Sequence, residues 1–109
     1  MEEARMAVGM LLAGEGITAE SYKQLTEAMF GSYPMRGDDA PEGLIIHTAG
    51  ASDQGWYIYD VWDSREHFER FVAAQLGPAI EATGAGGGAQ PQPQFFPIEV
   101  LVKGASASV

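Results

Sequence analysis

His47 and His67 are the chain's two imidazoles, and the chain has no cysteine. Disulfides, thiol nucleophiles and cysteine-ligated zinc or iron–sulfur sites are therefore outside its repertoire. His47 stands between Ile46 and Thr48 in a β-branched run. An imidazole there titrates near neutral pH and can take a proton from a phenol or an activated carbon acid, as a general base must. The plainer role is a core histidine hydrogen-bonded to a neighbour. Asp60 lies in a second such run, Gly55 to Trp62. It can orient the imidazole, act as a base itself because burial raises a carboxyl pKa, or bond a helix backbone group. Trp56 and Trp62, in the same run, offer flat apolar walls to an aromatic molecule, with simple core packing expected for at least one of them. His67 reads as a solvated residue in the first turn of a helix, within reach of a cavity mouth. Tyr33 and Arg36 belong to a loop able to close over a ligand. An iron site built from His47, His67 and Asp60 lacks metal-like spacing, and no metal is expected.

The elements that must position these groups follow from periodicity and punctuation. Met6 to Ala13 is a short apolar run stopped by Gly-Glu-Gly, which suits a buried strand. Thr18 then offers an N-cap, and Ile17, Tyr22, Leu25, Ala28 and Met29 follow at helical spacing until Gly31, so a helix is expected over about 18–30. Residues 31–42, with two prolines, two glycines and an Asp pair, form a loop long enough to be a lid. Gly43 to Gly50 and Gly55 to Trp62, separated by Ala51 to Gln54, predict an antiparallel hairpin. Asp63 or Ser64 caps a second helix, with Glu66 as the capping-box acid of Asp63. Its apolar stripe includes Phe68, Phe71, Val72 and Leu76, and Gly77-Pro78 is expected to interrupt it. Gly84 to Gln94 is a flexible connector, Phe95 to Val102 a fourth strand with an edge or bulge proline, and Gly104 to Val109 a frayed tail.

The order βαββαβ is the ferredoxin-like α+β arrangement: a four-stranded antiparallel sheet with both helices on one face. At 109 residues the chain is one domain, residues 1–103, followed by the tail. In the third strand Trp56, Ile58 and Trp62 point one way and Tyr57, Tyr59 and Val61 the other, so neither sheet face is plainly polar. A second copy is the simplest cover for the helix-free face, and a homodimer packed sheet to sheet is expected. Fifteen acidic against six basic side chains give a formal charge of −9, which argues against nucleic acid and anionic membranes as partners. The acidic N-terminus and short apolar run read as neither a signal peptide nor a membrane span, so a cytoplasmic location is expected. Gly14 to Ala19 fits G-x-G-x-x-A, but Glu15 would repel a pyrophosphate and no parallel second strand follows.

The junction of third strand and second helix carries Asp60, Trp62, Asp63, Ser64, Glu66 and Phe68. In this it resembles the antibiotic-biosynthesis-monooxygenase-like proteins of the dimeric α/β-barrel superfamily. The resemblance extends with the element order over about residues 6–102. It implies a ligand cavity between sheet and helices in each subunit. A four-residue turn at 51–54 would place His47 opposite Ile58, on one sheet face with Ile45, Trp56, Asp60 and Trp62. Phe68 joins Ile45, Trp56, Ile58, Trp62, His67 and Tyr33 as a candidate substrate contact, with His47 and Asp60 as the catalytic pair.

The activity implied is that of a small secondary-metabolism enzyme acting on an apolar aromatic or polyketide-like molecule. As a monooxygenase it would use no cofactor: His47 with Asp60 deprotonates the substrate, and the anion reduces oxygen directly. A cyclase or isomerase would use the same base without oxygen, and a non-catalytic ligand-binding dimer would use His47 and Asp60 structurally. Haem degradation would have only His67 as a candidate ligand.

Overall fold

The computed structural model describes residues 7–14, 16–84, 92–102 and 104. Along the chain run β1 (Val8–Gly14), α1 (Ala19–Phe30), β2 (Leu44–Ser52), β3 (Gly55–Trp62), α2 (Arg65–Phe71), a π-helical stretch (Val72–Leu76), α3 (Gly77–Thr83) and β4 (Gln94–Pro97). The strands form one antiparallel sheet in the order β2-β3-β1-β4. This is the ferredoxin-like α+β fold, with β1 and β3 side by side at the centre. Met10 from β1, Trp62 from β3 and Phe68 from α2 make the buried heart of the core, with Val8, Leu12, Leu44, Ile58, Phe71, Val72 and Phe95 packed around them. No helix among the described residues is long and apolar enough to cross a membrane.

Local chemistry sets the helix ends. The Thr18 side chain accepts the Ser21 N–H at 3.0 Å, and Ser21 Oγ accepts the Thr18 N–H at 3.0 Å, a reciprocal cap that satisfies two otherwise unpaired donors. The helix closes on Gly31, whose φ of 81° lies in the left-handed region where a Cβ is penalised. At α2 the N-cap is Ser64 rather than Asp63: Ser64 Oγ accepts the His67 N–H at 3.2 Å. The Asp63 N–H is still bound to the Gly43 carbonyl, 2.7 Å away, so the chain leaves the sheet one residue later than a cap at Asp63 requires.

Gly77-Pro78 does not end the second helix. The turn ahead of it widens, and the Gly77 N–H bonds the Val72 carbonyl five residues back. A π-helical turn of this kind relieves the missing donor and the ring clash that proline brings to regular helix. The helix continues to Gly84, where φ is 71°.

The hairpin differs from expectation in a way that decides the site. Ser52 pairs with Gly55, so the turn is the two residues Asp53 and Gln54, not four. Ser52 Oγ holds it, accepting the Gln54 N–H at 3.2 Å and donating to the Gly55 carbonyl at 2.7 Å. His47 therefore stands opposite Asp60, not Ile58. A bulge between Leu44 and Ile46 then sets Leu44 opposite Trp62, and Ile45 has no partner in the register.

The fourth strand is also shorter than expected. Ile98 donates to the Ala7 carbonyl at 2.9 Å, and the chain then leaves the ladder, with Val100 79% and Val102 81% exposed. The helix-free face carries Tyr57 lying against Gly50 and Tyr59 against Gly9. The expectations for Met6 in the first strand and for most of the connector and the tail fall outside the described residues.

Candidate active site

Each group of the site is delivered by a different element. The ladder puts His47 of β2 directly across from Asp60 of β3, with Met10 of β1 on Asp60's other side. Residues paired in register share a sheet face, here the face that carries the helices. The first turn of α1 brings Tyr22 down onto that face.

The three side chains form one hydrogen-bonded chain. His47 Nδ1 lies 2.7 Å from Asp60 Oδ1, and His47 Nε2 lies 2.5 Å from the Tyr22 hydroxyl. Trp62 Nε1 donates to the second carboxylate oxygen, Asp60 Oδ2, at 3.1 Å. Asp60 is only 4% exposed and both its oxygens are engaged, Oδ2 by the Trp62 indole N–H and Oδ1 by His47 Nδ1. In the neutral imidazole with its proton on Nδ1, that proton goes to Asp60 and the Nε2 lone pair accepts from Tyr22. The ring planes of Tyr22 and His47 are 12° apart with centroids at 6.0 Å. With the hydroxyl on Nε2, that is an end-to-end arrangement in which the phenol meets the in-plane lone pair.

Burial pushes the Tyr22 phenol pKa above its ordinary value of 10.0. The Thr26 hydroxyl opposes that shift, while Tyr33 and the negative Asp60 add to it. The ring itself is held by Trp56 at 5.4 Å and by the edge-on ring of Tyr33 at 6.0 Å.

These groups open onto a cavity of about 90 Å³ between the sheet and the helices. Its polar lining comes from Tyr22, Thr26, His47 and Asp60, and the rest is apolar, including Met10, Met29 and Met35. An apolar hollow with a few convergent polar groups is the common form of a small-molecule site. General-base chemistry fits the arrangement: a proton arriving at Nε2 makes an imidazolium held by a carboxylate, the logic of an Asp-oriented histidine.

The candidates from sequence fall into distinct places. His47, Asp60, Ile58, Trp62 and Phe68 line the cavity. Trp62 is 1% exposed and serves the core as well as holding Asp60. Ile45 does not line it; the bulge puts Leu44 there instead. Trp56 and Tyr33 are not wall residues but the flanks of Tyr22, and the buried indole N–H of Trp56 has no hydrogen-bond partner among the described residues. From the loop, Met35 and Pro41 reach the cavity.

His67 belongs to a separate cleft of about 140 Å³ with Pro41, Glu42, Arg70, Phe71, Ala74 and Gln75. Its Nδ1 is hydrogen-bonded to Ser64 Oγ at 2.7 Å, and its ring covers Gly43. It is thus apart from His47 and Asp60, and among the described residues no three histidine or acidic side chains gather as a metal site. Tyr22 is the member of this hydrogen-bonded chain that the sequence placed only in the helix core. Its one legible signal was a hydroxyl on an otherwise apolar stripe.

No protein-family model matches the sequence, and no curated protein matches it. Solved structures do match. Over 95% of its length the chain is similar to a monooxygenase from the gene ActVA-Orf6 of Streptomyces coelicolor, solved in complex with nanaomycin D, with 96% of that chain covered, 18% identity and a TM-score of 0.53. Over 93% of its length it is similar to Rv0793 from Mycobacterium tuberculosis, with 98% of that chain covered, 15% identity and a TM-score of 0.52. The chain has their fold. It is the fold that the strand-to-helix junction implied, that of the antibiotic-biosynthesis-monooxygenase-like proteins, and at these identities it is the architecture that is shared.

Proposed function

We propose that the protein is a small-molecule enzyme that removes a proton from an apolar, electron-rich phenol or anthrone, and that it does so as a cofactor-independent monooxygenase. The observation that carries this reading is the Tyr22–His47–Asp60 chain at the wall of an otherwise apolar cavity. The fold likeness to a monooxygenase solved with nanaomycin D supports the choice of oxygenation and of an aromatic, polyketide-like substrate.

For an anthrone the steps balance as follows. The base takes one proton from the O–H of the anthrone's enol tautomer, which gives the same anion as loss from the activated CH2, and the anion gives one electron to O2. The radical pair combines to a peroxide, which recovers the proton from the imidazolium. Loss of water, carrying off the carbon's remaining hydrogen, leaves a carbonyl. Asp60 holds the imidazolium through the interval, and the apolar walls keep water from the anion. At about 90 Å³ the cavity is below the ~150 Å³ that admits benzene. Polycyclic substrates need Met29 and Met35 to turn aside, which unbranched thioether side chains do at small cost.

The helix-free face of the sheet supports a second element of the proposal, a homodimer. Ile46 (37%) and Phe96 (42%) are exposed hydrophobics on the two edge strands, paired in register with Val61 and Gly9 of the central strands. A second copy of this face would cover them.

The test is oxygen uptake with dithranol, a 1,8-dihydroxyanthrone, by wild type and His47→Ala. The expected loss in the variant is ~10²–10⁴-fold in kcat. Equal rates would remove His47 from the mechanism. Base-dependent conversion of the anthrone without oxygen consumption would make the enzyme a cyclase or isomerase, and no conversion at all would sink the oxygenase reading.

A further inference from the structure

Both nitrogens of His47 are occupied. Nδ1 is bound to Asp60 at 2.7 Å, and Nε2 to the Tyr22 hydroxyl at 2.5 Å. A substrate that enters the cavity therefore does not meet a free base. It meets Tyr22, which lines the cavity beside His47. Either the substrate displaces the tyrosine or the proton travels through it.

Several observations favour passage over displacement. The ring is flanked by Trp56 and Tyr33 at 5.4 and 6.0 Å. Its backbone is fixed in the first turn of a capped helix, where the Thr26 hydroxyl donates to the Tyr22 carbonyl at 2.9 Å. A phenolic hydroxyl has one proton to give and lone pairs to accept another, so donation to Nε2 leaves the oxygen able to receive a substrate proton. The buried phenol, its pKa raised, holds its proton at ordinary pH and so has one to donate.

We infer that Tyr22 is a catalytic relay: the substrate's acidic O–H donates to Tyr22 Oη while Tyr22 passes its own proton to His47 Nε2. The substrate O–H and the original Tyr22 O–H break, a new Tyr22 O–H and an Nε2–H form, and the negative charge stays on the substrate oxygen. No tyrosinate accumulates. This inference rests on the reading of His47 as the base, and it adds that the enzyme's specificity begins at Tyr22. The substrate class is one whose acidic hydroxyl can reach Oη from the apolar side of the cavity.

The experiment uses 4-fluorophenol as the probe and ¹⁵N-labelled histidine in the whole protein. In wild type without probe, His47 shows the Nδ1–H tautomer with a hydrogen-bonded Nε2, and Tyr22→Phe moves Nε2 to the value of an unbonded imidazole. With the probe bound, the relay predicts that the wild-type Nε2 signal keeps its hydrogen-bonded position and that the Tyr22 hydroxyl proton remains visible and shifts downfield. Displacement of Tyr22 by the probe would overturn the relay and leave His47 as a direct base. Failure of the probe to perturb any cavity resonance at millimolar concentration would overturn the relay together with the phenol-site reading. In turnover of dithranol, whose enol tautomer presents the acidic O–H to Tyr22 Oη, Tyr22→Phe lowers kcat ~10–100-fold. It also turns a curved dependence of rate on deuterium content into a linear one, since one proton fewer is in flight. Unaltered kcat and curvature in the variant would refute the relay, whatever Tyr22 contributes to packing.

Discussion

Asp60 is buried at 4% exposure and engages a donor on each carboxylate oxygen, so its neutral isostere has a problem that charge alone does not describe. In Asp60→Asn one end of the side chain becomes a donor and must face either His47 Nδ1 or Trp62 Nε1, both of which donate. His47 escapes by moving its proton to Nε2, the tautomer that can no longer accept from Tyr22. Activity is expected to fall ~10²–10⁴-fold, with the tautomer change visible in histidine ¹⁵N shifts. Tyr22 makes a separate prediction at high pH. Its folded pKa lies above the ordinary 10.0, so its contribution to stability is fully present below pH 10 and is lost as pH rises through the folded value. Thermal melts of wild type should lose more stability from pH 9 to 11 than those of Tyr22→Phe, and parallel losses would contradict the burial argument. His47 and Asp60 were legible as residues because an imidazole in a β-branched run and an acid in an aromatic one are chemically conspicuous. Tyr22 was not, because its spacing on α1 is that of a core residue and its partner is fixed only by the register of another element.

That register is the lesson at the scale of elements. Strands, helices and their order were legible from periodicity and from Gly31, Thr18 and the Gly50-to-Gly55 punctuation. The choice between a two-residue and a four-residue turn was not, since it depends on Ser52 Oγ closing on Gly55 and Gln54. Two residues' difference in the turn carries His47 from Ile58 to Asp60. The π-helical passage into Pro78 was hidden for a similar reason: whether proline ends a helix or widens it depends on packing beyond the local sequence. Two glycines test these elements. Gly31 has φ of 81° with open space around the missing Cβ, so Gly31→Ala should cost about 1 kcal/mol in urea unfolding, the left-handed penalty alone. Gly43 has φ of 89° and the His67 ring lies where a Cβ would be. Gly43→Ala should therefore cost clearly more than Gly31→Ala, and equal costs would mean that the His67 ring moves away freely.

At the scale of the whole molecule, a sheet with helices on one face leaves the other to water or to a partner. Tyr57 and Tyr59 fold down over Gly50 and Gly9, yet Phe96 and Ile46 stay exposed. Sedimentation should give a species near twice the 11.6 kDa chain mass, and Phe96→Asp, opposite Gly9 on that face, should shift it to the monomer. A wild-type monomer would refute the sheet-to-sheet dimer. The charge of −9 has little counterpart inside the cavity, where Asp60 is the one acid among the described lining residues. The lining has another property. Met10, Met29 and Met35 are three of the five methionines in the chain. Their methyl groups are mobile, well-dispersed NMR probes planted on opposite walls by β1, α1 and the loop that follows it. A single sample labelled at methionine methyls would therefore report when the cavity fills, by what size of molecule, and which wall yields, before any product is known.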